Sequence, residues 1–470
     1  MTKESARAVA LDCLLAVTED GAFSHTVLNS AREKYAWMSV EDRSFITRLV
    51  HGTLEYLIQL DAVLNRISSV PVRKMKPPVR GILRMSAYQL LYLDRIPERA
   101  VVHEAVELAA MRGFRGLKGF VNAVLRSLCR EKEAVKREIS ESRDFSFRYA
   151  MPPWIVRQFR EELGEERAEL VLQSFFRQMP LYVRPVSGRE GLSDKGPEEC
   201  PEEHPENGPE EYPKELVPSP WCPDLLVLPE GDDTSREARE QVLSLLREGR
   251  AIVQDLGSAA AVRAAMPAPG SRVIDLCAAP GGKSIAAASL MEGSGQVLAF
   301  DLTEEKVQIL NQNAERAGLA GMVRGEMGDA TVFRQELEGS ADLVIADLPC
   351  SGLGVLGQKP DIRLNLKEEQ ITELAALQRT MLGQAARYVR PGGKLLFSTC
   401  TISRRENEDN RAWFLETHPE FRPEPVETGE SLFPGLSGRP ELSEGYLQML
   451  PGEFPCDGFF FALFRRTESI

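Results

Sequence analysis

Four short apolar runs dominate the second half of the chain: SRVIDLCA from Ser271, GQVLAFDL from Gly295, ADLVIADL from Ala341 and GGKLLFST from Gly392. Each is followed by a helical or loop segment. Runs of this length separated by helices pair side by side only through crossovers, which predicts an α/β domain built on a mostly parallel sheet. This texture begins near Ala251. A late strand is predicted at GFFFALFRR, after the turn residues Pro455, Asp457 and Gly458. With 470 residues, the chain exceeds what one core holds, so two or three domains are expected.

Residues 5–135 carry a different pattern. Ser5 stands before apolar residues at helical spacing (Ala6, Val9, Ala10, Cys13, Leu14, Val17), and FITRLVHGTLEYLIQLDAVLNRI, VRGILRMSAYQLLYL, HEAVELAAM and FVNAVLRSLC continue it. Pro71, Pro77, Pro78 and Pro97 punctuate these stretches, and an all-helical domain over 1–140 is expected. A connector over 141–250 follows, with periodic segments WIVRQFREELG and ERAELVLQSFF suggesting helix across 145–186. Within 190–216 the prolines 197, 201, 205, 209 and 213 recur every fourth residue among acids. Proline at that density excludes helix and central strand, so an extended, solvated acidic insertion is expected.

The net charge of −13 argues against a nucleic-acid partner only on average. Residues 190–215 hold ten acids and two lysines, whereas residues 1–150 hold 24 basic against 18 acidic residues. The eight cysteines form no CxxC pair and have no clustered histidine, which predicts free thiols and no metal site. No run of 18 apolar residues occurs and the N-terminus lacks a signal-peptide core, so a cytoplasmic protein is expected. No long heptad stretch occurs either, and a monomer is the default.

The first predicted strand runs into Cys277-Ala278-Ala279-Pro280-Gly281-Gly282-Lys283-Ser284, and a helix opens after it. Small residues there admit a ligand close to backbone amides, and a helix N-terminus adds partial positive charge. Acids follow at strand ends: Asp301, Asp329 and Asp347. In open α/β sheets, ligands bind beyond the carboxyl ends of the strands. The loop is neither GxGxxG nor GxxxxGK[ST], which rules against dinucleotide and nucleoside-triphosphate readings. A ribose-binding acid without a phosphate loop fits S-adenosylmethionine, against the bland reading of a plain turn rich in small residues.

Two thiols close predicted strands, Cys350 in Asp347-Leu348-Pro349-Cys350 and Cys400 in Ser398-Thr399-Cys400-Thr401. One such cysteine is most simply a small buried residue. Two at neighbouring strand ends suggest nucleophilic chemistry. Cytosine C5 needs that help: a thiolate added to C6 makes C5 nucleophilic enough to take a methyl group from a sulfonium. The residues alone do not order the two thiols.

At this point the chain resembles the Sun/Fmu family of bacterial ribosomal RNA methyltransferases, within the wider group of RNA cytosine-C5 methyltransferases. DRSFITRLVHGTLEYLIQLD, RMSAYQLLYLDRIPERAVVHEAVELA and KGFVNAVLRSL resemble a NusB-type RNA-binding domain. VIDLCAAPGGKS, AFDLTEEKV, MGDA, DLPCSGLGVLGQKPDI, LLFSTCTISRRENEDN and CDGFFFALFRR resemble the catalytic blocks. The resemblance covers nearly the whole chain. It implies a multidomain fold: an all-α NusB-like domain over 1–140, a connector, and a Rossmann-like S-adenosylmethionine-dependent methyltransferase over 251–470. Cys277 through Lys283 would line the S-adenosylmethionine loop, Asp301 would hold the ribose, and Asp329 would lie by the adenine. Asp347 would sit near the methyl donor and target base. Cys400 would be the nucleophile and Cys350 would help release product. The implied substrate is a hairpin-loop cytosine of 16S rRNA. The sequence departs from the family in Asp347-Leu348-Pro349-Cys350, in Ser284 where threonine is usual, in Arg184-Pro185-Val186, and in the acidic repeat.

Arg73, Lys74, Lys76, Arg80 and Arg84 form the densest basic cluster and the expected RNA contact; Arg112, Arg115, Lys118, Arg126 and Arg130 form a second. Either could be a solvated face. Competing functions are a non-catalytic RNA-binding assembly factor, which would have lost Cys400 or the loop glycines, an amino-group methyltransferase, which would want Pro-Pro-Tyr/Phe after the acid, and a tRNA cytosine enzyme.

Overall fold

In the computed structural model, residues 4–186, 212–228, 236–427, 435–436 and 438–468 are described. The proline repeat, up to Glu211, lies outside the described residues. The chain divides into two compact units, one of residues 1–176 with 356–368, the other of residues 177–355 with 369–470.

The first unit is helical: α1 (Ala6–Thr18), α2 (Ser24–Lys34), α3 (Val40–Glu55), α4 (Leu57–Ile67), α5 (Pro77–Tyr92), α6 (Glu98–Met111) and α7 (Lys118–Glu141). Capping sets several starts. Ser5 Oγ accepts from Ala8 N, Ser39 Oγ accepts from Asp42 N, and Pro77 opens α5, where its missing N–H has no intrahelical use. The long run FITRLVHGTLEYLIQLDAVLNRI is broken at Tyr56, which ends α3 and precedes α4. That break stacks Tyr56 on Tyr92, centroids 3.9 Å apart. Leu11, Leu49, Leu54, Leu60, Leu64, Ile82 and Leu125 are among the residues that close the core. Helices α8 (Phe145–Arg148), α9 (Pro153–Leu163) and α10 (Glu165–Ser174) extend this unit.

Residues 356–368, which follow the Pro-Cys loop in sequence, also belong to the first unit. Arg363, 3% exposed, donates to Glu55 O at 2.9 Å and Leu356 O at 3.2 Å and lies over the Phe176 ring. Ser24 donates its hydroxyl to Asp361. No periodicity in this short segment announced its partners.

The second unit opens with an antiparallel sheet that the sequence reading did not anticipate. Its strands are β1 (Leu181–Pro185), β2 (Val217–Pro218), β3 (Leu226–Leu228) and β4 (Ala251–Val253), in the order β2-β3-β1-β4. The helix expected across 145–186 therefore gives way at Pro180 to a strand, because prolines at 180 and 185 bracket a run too short for helix. The texture change at Ala251 belongs to this small sheet.

The main sheet holds β5 (Arg272–Asp275), β6 (Gln296–Asp301), β7 (Val323–Met327), β8 (Ala341–Asp347), β9 (Val389–Thr399), β10 (Phe421–Pro423), β11 (Tyr446–Met449) and β12 (Phe459–Arg466), ordered β10-β12-β9-β8-β5-β6-β7 with β11 also on β12. Strands β5 to β9 pair in parallel; β12 runs antiparallel to β9. Chain order leaves β5 toward β6 on one side and returns to β8 on the other. That reversal opens a crevice at the carboxyl ends of β5 and β8, the place where such sheets bind ligands. Apolar helix and strand faces close two layers over the sheet, one containing Val273, Ile345, Leu396 and Phe461, the other Ile274, Val344, Leu395, Phe397 and Phe460. The near-continuous burial of β8 and β12 explains why these strands read as apolar runs without alternation.

Candidate active site

The loop after β5 turns through a cis Ala279–Pro280 peptide, and Gly281, at φ +105°, caps helix α11 (Gly282–Leu290). A side chain there would strain the backbone, which is why glycine stands at the turn. Asp301, at the end of β6 and 5% exposed, reaches back across this loop. Its Oδ2 accepts from Ala279 N at 3.0 Å, while Oδ1 accepts from Leu302 N at 2.8 Å and from Lys306 Nζ at 3.0 Å. Asp329 is exposed after β7; its Oδ1 takes the Thr331 amide and hydroxyl, and those two bonds hold the carboxyl below its usual range.

Two groups face each other between β5 and β8. Lys283 Nζ donates to Asp347 Oδ2 at 2.7 Å and lies 5.1 Å from the Phe459 ring centroid. Burial works to discharge this lysine, but Asp347 overrides it and lifts its pKa above the ordinary lysine value. Asp347 Oδ1 accepts from Ser398 Oγ at 2.7 Å, so both carboxylate oxygens are engaged. Asp275, which the sequence reading passed over, is fully buried at the end of β5. Burial pushes its carboxyl up to about 7, against the pull of a 2.7 Å bond from Ser284 Oγ. Its Oδ1 is buried and has no hydrogen-bond partner. Cys277, by contrast, is pushed up to about 12 by burial and by the neighbouring acids, so its thiol stays neutral.

The structure brings the two strand-end thiols together: Cys350 Sγ lies 3.3 Å from Cys400 Sγ. Register puts them there, since β8 and β9 are adjacent with Asp347 opposite Ser398, and Leu348 N continues the ladder to Ser398 O at 3.0 Å. Beyond the strands, Gly354 N donates to Cys400 O at 3.2 Å, and Gly458 N donates to Gly354 O at 2.9 Å. A Cβ on Gly354 would stand 2.2 Å from Gly458 O and 2.8 Å from Cys400 O, so only glycine lets these backbones meet.

Beneath the thiols lies a buried polar network. Glu406 accepts from Ser351 N at 2.9 Å, Ser351 Oγ at 2.5 Å and Gln378 Nε2 at 3.1 Å. Gln378 Nε2 also donates to Pro349 O at 2.9 Å, and Asn410 Nδ2 donates to Gln378 Oε1 at 2.8 Å. Thr399 Oγ1 donates to Asn407 Oδ1 at 2.6 Å, and Asn407 Nδ2 reaches Thr401 O at 3.0 Å and Gln448 Oε1 at 2.7 Å. Glu406, Asn407, Asn410 and Gln378 are all fully buried. The sequence signal for Glu406, Asn407 and Asn410 was the polar string ENEDN just after the Thr-Cys pair, and Gln378 had none.

The basic cluster divides. Arg80 pairs with Glu19 through its NH2 group at 2.6 and 2.7 Å, and Arg84 makes a two-pronged pair with Asp61 at 2.6 and 2.7 Å. Arg73, Lys74 and Lys76 are exposed. In the second cluster, Arg112 pairs with Asp12 and Lys118 with Glu107, while Arg115, Arg126 and Arg130 are exposed.

Residues 262–465 match the family 16S rRNA methyltransferase RsmB/F, and residues 4–130 match the NusB family. A probable ribosomal RNA small subunit methyltransferase B of Bacillus subtilis (strain 168) is 34% identical over 478 residues, covering 99% of this chain and all of the relative. The ribosomal RNA small subunit methyltransferase B of Klebsiella pneumoniae (strain 342) is 30% identical, with 98% of each chain covered. The crystal structure of PH0851 aligns over 99% of both chains at 27% identity with a TM-score of 0.75. NSun6 from Pyrococcus horikoshii aligns over 68% of this chain and 100% of its own at 19% identity and a TM-score of 0.53, a likeness of fold. Matched from end to end, the chain belongs to the RsmB/F family of 16S rRNA methyltransferases and, within it, groups with the ribosomal RNA small subunit methyltransferases B.

Proposed function

We propose that the chain transfers a methyl group from S-adenosylmethionine to C5 of a cytosine in 16S rRNA, at a loop position, through a covalent adduct between Cys400 and C6. The observation that carries this reading is the contact of two thiols, Cys350 and Cys400, beside the Lys283–Asp347 pair at the crevice of the sheet. Amino-group methylation needs no thiol, and a pure assembly factor would not need two at the ligand edge.

The residues present suit a nucleoside methyl donor. The orphaned Asp275 oxygen, the strand-end carboxylates and the amide-lined loop from Cys277 to Lys283 supply acceptors and donors without a phosphate cradle. Asp301 would hold ribose hydroxyls and Asp329 the adenine side. When bound, S-adenosylmethionine supplies an electrophilic methyl group on a sulfonium. Cys400 adds its thiolate to C6, and the displaced π electrons make C5 the nucleophile that takes the methyl. A base removes the C5 proton, C5=C6 re-forms, and Cys400 leaves as thiolate. Asp347, held by Lys283 and Ser398, meets the target base in this reading. Cys350 assists the departure of Cys400. Looped-out cytosine is the substrate this chemistry favours, because a base must leave its stack to be reached.

In this reading residues 1–140 bind RNA, 141–250 connect, and 251–470 catalyse. Arg73, Lys74 and Lys76 meet phosphates directly, with Arg80 and Arg84 shaping the surface through their acidic partners. The test is methyl transfer from labelled S-adenosylmethionine to unmethylated 16S rRNA by wild type, Cys400→Ala and Cys350→Ala. Transfer to a single cytosine C5, lost in Cys400→Ala, with an RNA adduct accumulating in Cys350→Ala, is expected. Transfer that persists without Cys400 refutes the nucleophile assignment, and transfer to tRNA alone refutes the target.

A further inference from the structure

Glu406 is fully buried and has no part in the chemistry set out above. A buried carboxylate is costly, and apolar packing often serves stability as well or better. Its partners explain its presence. Ser351 directly follows Cys350 and Thr401 directly follows Cys400; their hydroxyls lie 2.8 Å apart, and Glu406 Oε2 meets them at 2.5 and 3.5 Å. Glu406 Oε1 takes the Ser351 amide and the Gln378 amide nitrogen that also holds Pro349 O, the residue before Cys350. One carboxylate thus holds the backbone on both sides of one thiol and the residue after the other.

We propose that Glu406 is a positioning residue that holds Cys350 Sγ against Cys400 Sγ, so that the Cys350 S–H points at the sulfur that leaves C6. This rests on the reading of Cys400 as nucleophile. In the elimination step the C5 proton goes to the base, C5=C6 re-forms, and the C6–S electron pair stays on Cys400. The Cys350 S–H donates a hydrogen bond to that thiolate and keeps its proton, so nothing further is consumed. The contact with Cys400, burial and the charges of Cys400 and Glu406 all oppose ionisation of Cys350, with only the Gly352 amide favouring it. The second thiol is thereby kept as a donor.

The test uses the full chain carrying Glu406→Gln, Ser351→Ala or Cys350→Ala, with unmethylated 16S rRNA and S-adenosylmethionine. Glu406→Gln is expected to lower kcat about tenfold with KM for RNA unchanged, and to raise the denaturation-resistant protein–RNA adduct toward the Cys350→Ala level. Ser351→Ala does the same more weakly, and it decides the matter if Glu406→Gln does not fold. A second readout needs no RNA. In a Cys400→Ser background, the pH profile of Cys350 alkylation by iodoacetamide shifts to lower pH when Glu406→Gln is added. Adduct levels and alkylation profile equal to those of the parent proteins, while Cys350→Ala still accumulates adduct, overturn this inference and leave the proposed function standing. Absence of any adduct in Cys350→Ala overturns both.

Discussion

The two halves of the crevice are held by different forces. On the side of the Cys277–Lys283 loop, charge pairs do the holding, Lys283 on Asp347 and Lys306 on Asp301, around a buried Asp275 whose carboxyl burial raises toward neutrality. On the thiol side, glycine contacts and uncharged amides and hydroxyls converge on one buried carboxylate. Charge pairs tolerate approach by a polar ligand, whereas a satisfied buried network fixes geometry and excludes alternatives. A half that binds and half that reacts would be built this way.

The sharpest way to break that contrast is to separate binding from chemistry. Cys400→Ala is expected to lower methyl transfer on the order of a thousandfold or more, with S-adenosylmethionine affinity unchanged by calorimetry. If affinity falls in step with transfer, the two halves are not functionally distinct. Next in size is the charge pair. Lys283→Met leaves Asp347 without its cation and is expected to cost about 2–3 kcal/mol, seen chiefly as weaker S-adenosylmethionine binding. A double-mutant cycle with Asp347→Asn should show coupling of roughly 1 kcal/mol or more. Additivity there would mean that the pair is incidental. Gly354→Ala tests the other half: its methyl would fall 2.2 Å from Gly458 O, and the backbones must part. The expected cost is about 1–3 kcal/mol in urea unfolding, with transfer reduced and cofactor affinity kept.

These differences also explain what could be read from the sequence. The parallel sheet was legible because β5, β6, β8 and β9 are buried on both faces and read as apolar runs. The small-residue loop from Cys277 to Lys283 and the two thiols stood out in the sequence because each is a local string at a strand end. The small sheet β1–β4 was not, since its strands are two to five residues long and separated by up to tens of residues. Nor was the support beneath the thiols, where Gln378, the Glu406–Asn410 segment and Gln448 converge from three separate stretches of the chain. Composition equally hid the split of the first basic cluster, because Glu19 and Asp61, which take up Arg80 and Arg84, lie elsewhere in the sequence.

Asp275 gives the contrast a pH signature. Its folded-state value of about 7 lies above the unfolded carboxylate value of about 3.9. The stability it contributes is therefore full below about pH 4 and is lost as pH rises through 7. The slope is at most about 1.4 kcal/mol per pH unit. Asp275→Asn removes that contribution. Between pH 4 and 7 the wild type is expected to lose stability relative to the variant, and above about pH 8 the difference should be flat, as read from urea midpoints. A constant difference throughout would place the Asp275 carboxyl back in the ordinary range.

The smallest effect carries the same distinction, paired against unpaired charge, into the helical unit. Arg73 is exposed, whereas Arg84 is mostly buried against Asp61. If phosphates are met by exposed charge, Arg73→Ala weakens binding to 16S rRNA modestly and lowers the slope of log affinity against log salt by about one. Arg84→Ala should instead strand Asp61 and reduce thermal stability, with the salt slope nearly unchanged. A loss of salt slope in Arg84→Ala equal to that in Arg73→Ala would mean that the Arg84–Asp61 pair opens when RNA binds. The acid at 61 would then be a competitor for phosphate, and Asp61→Asn should tighten RNA binding.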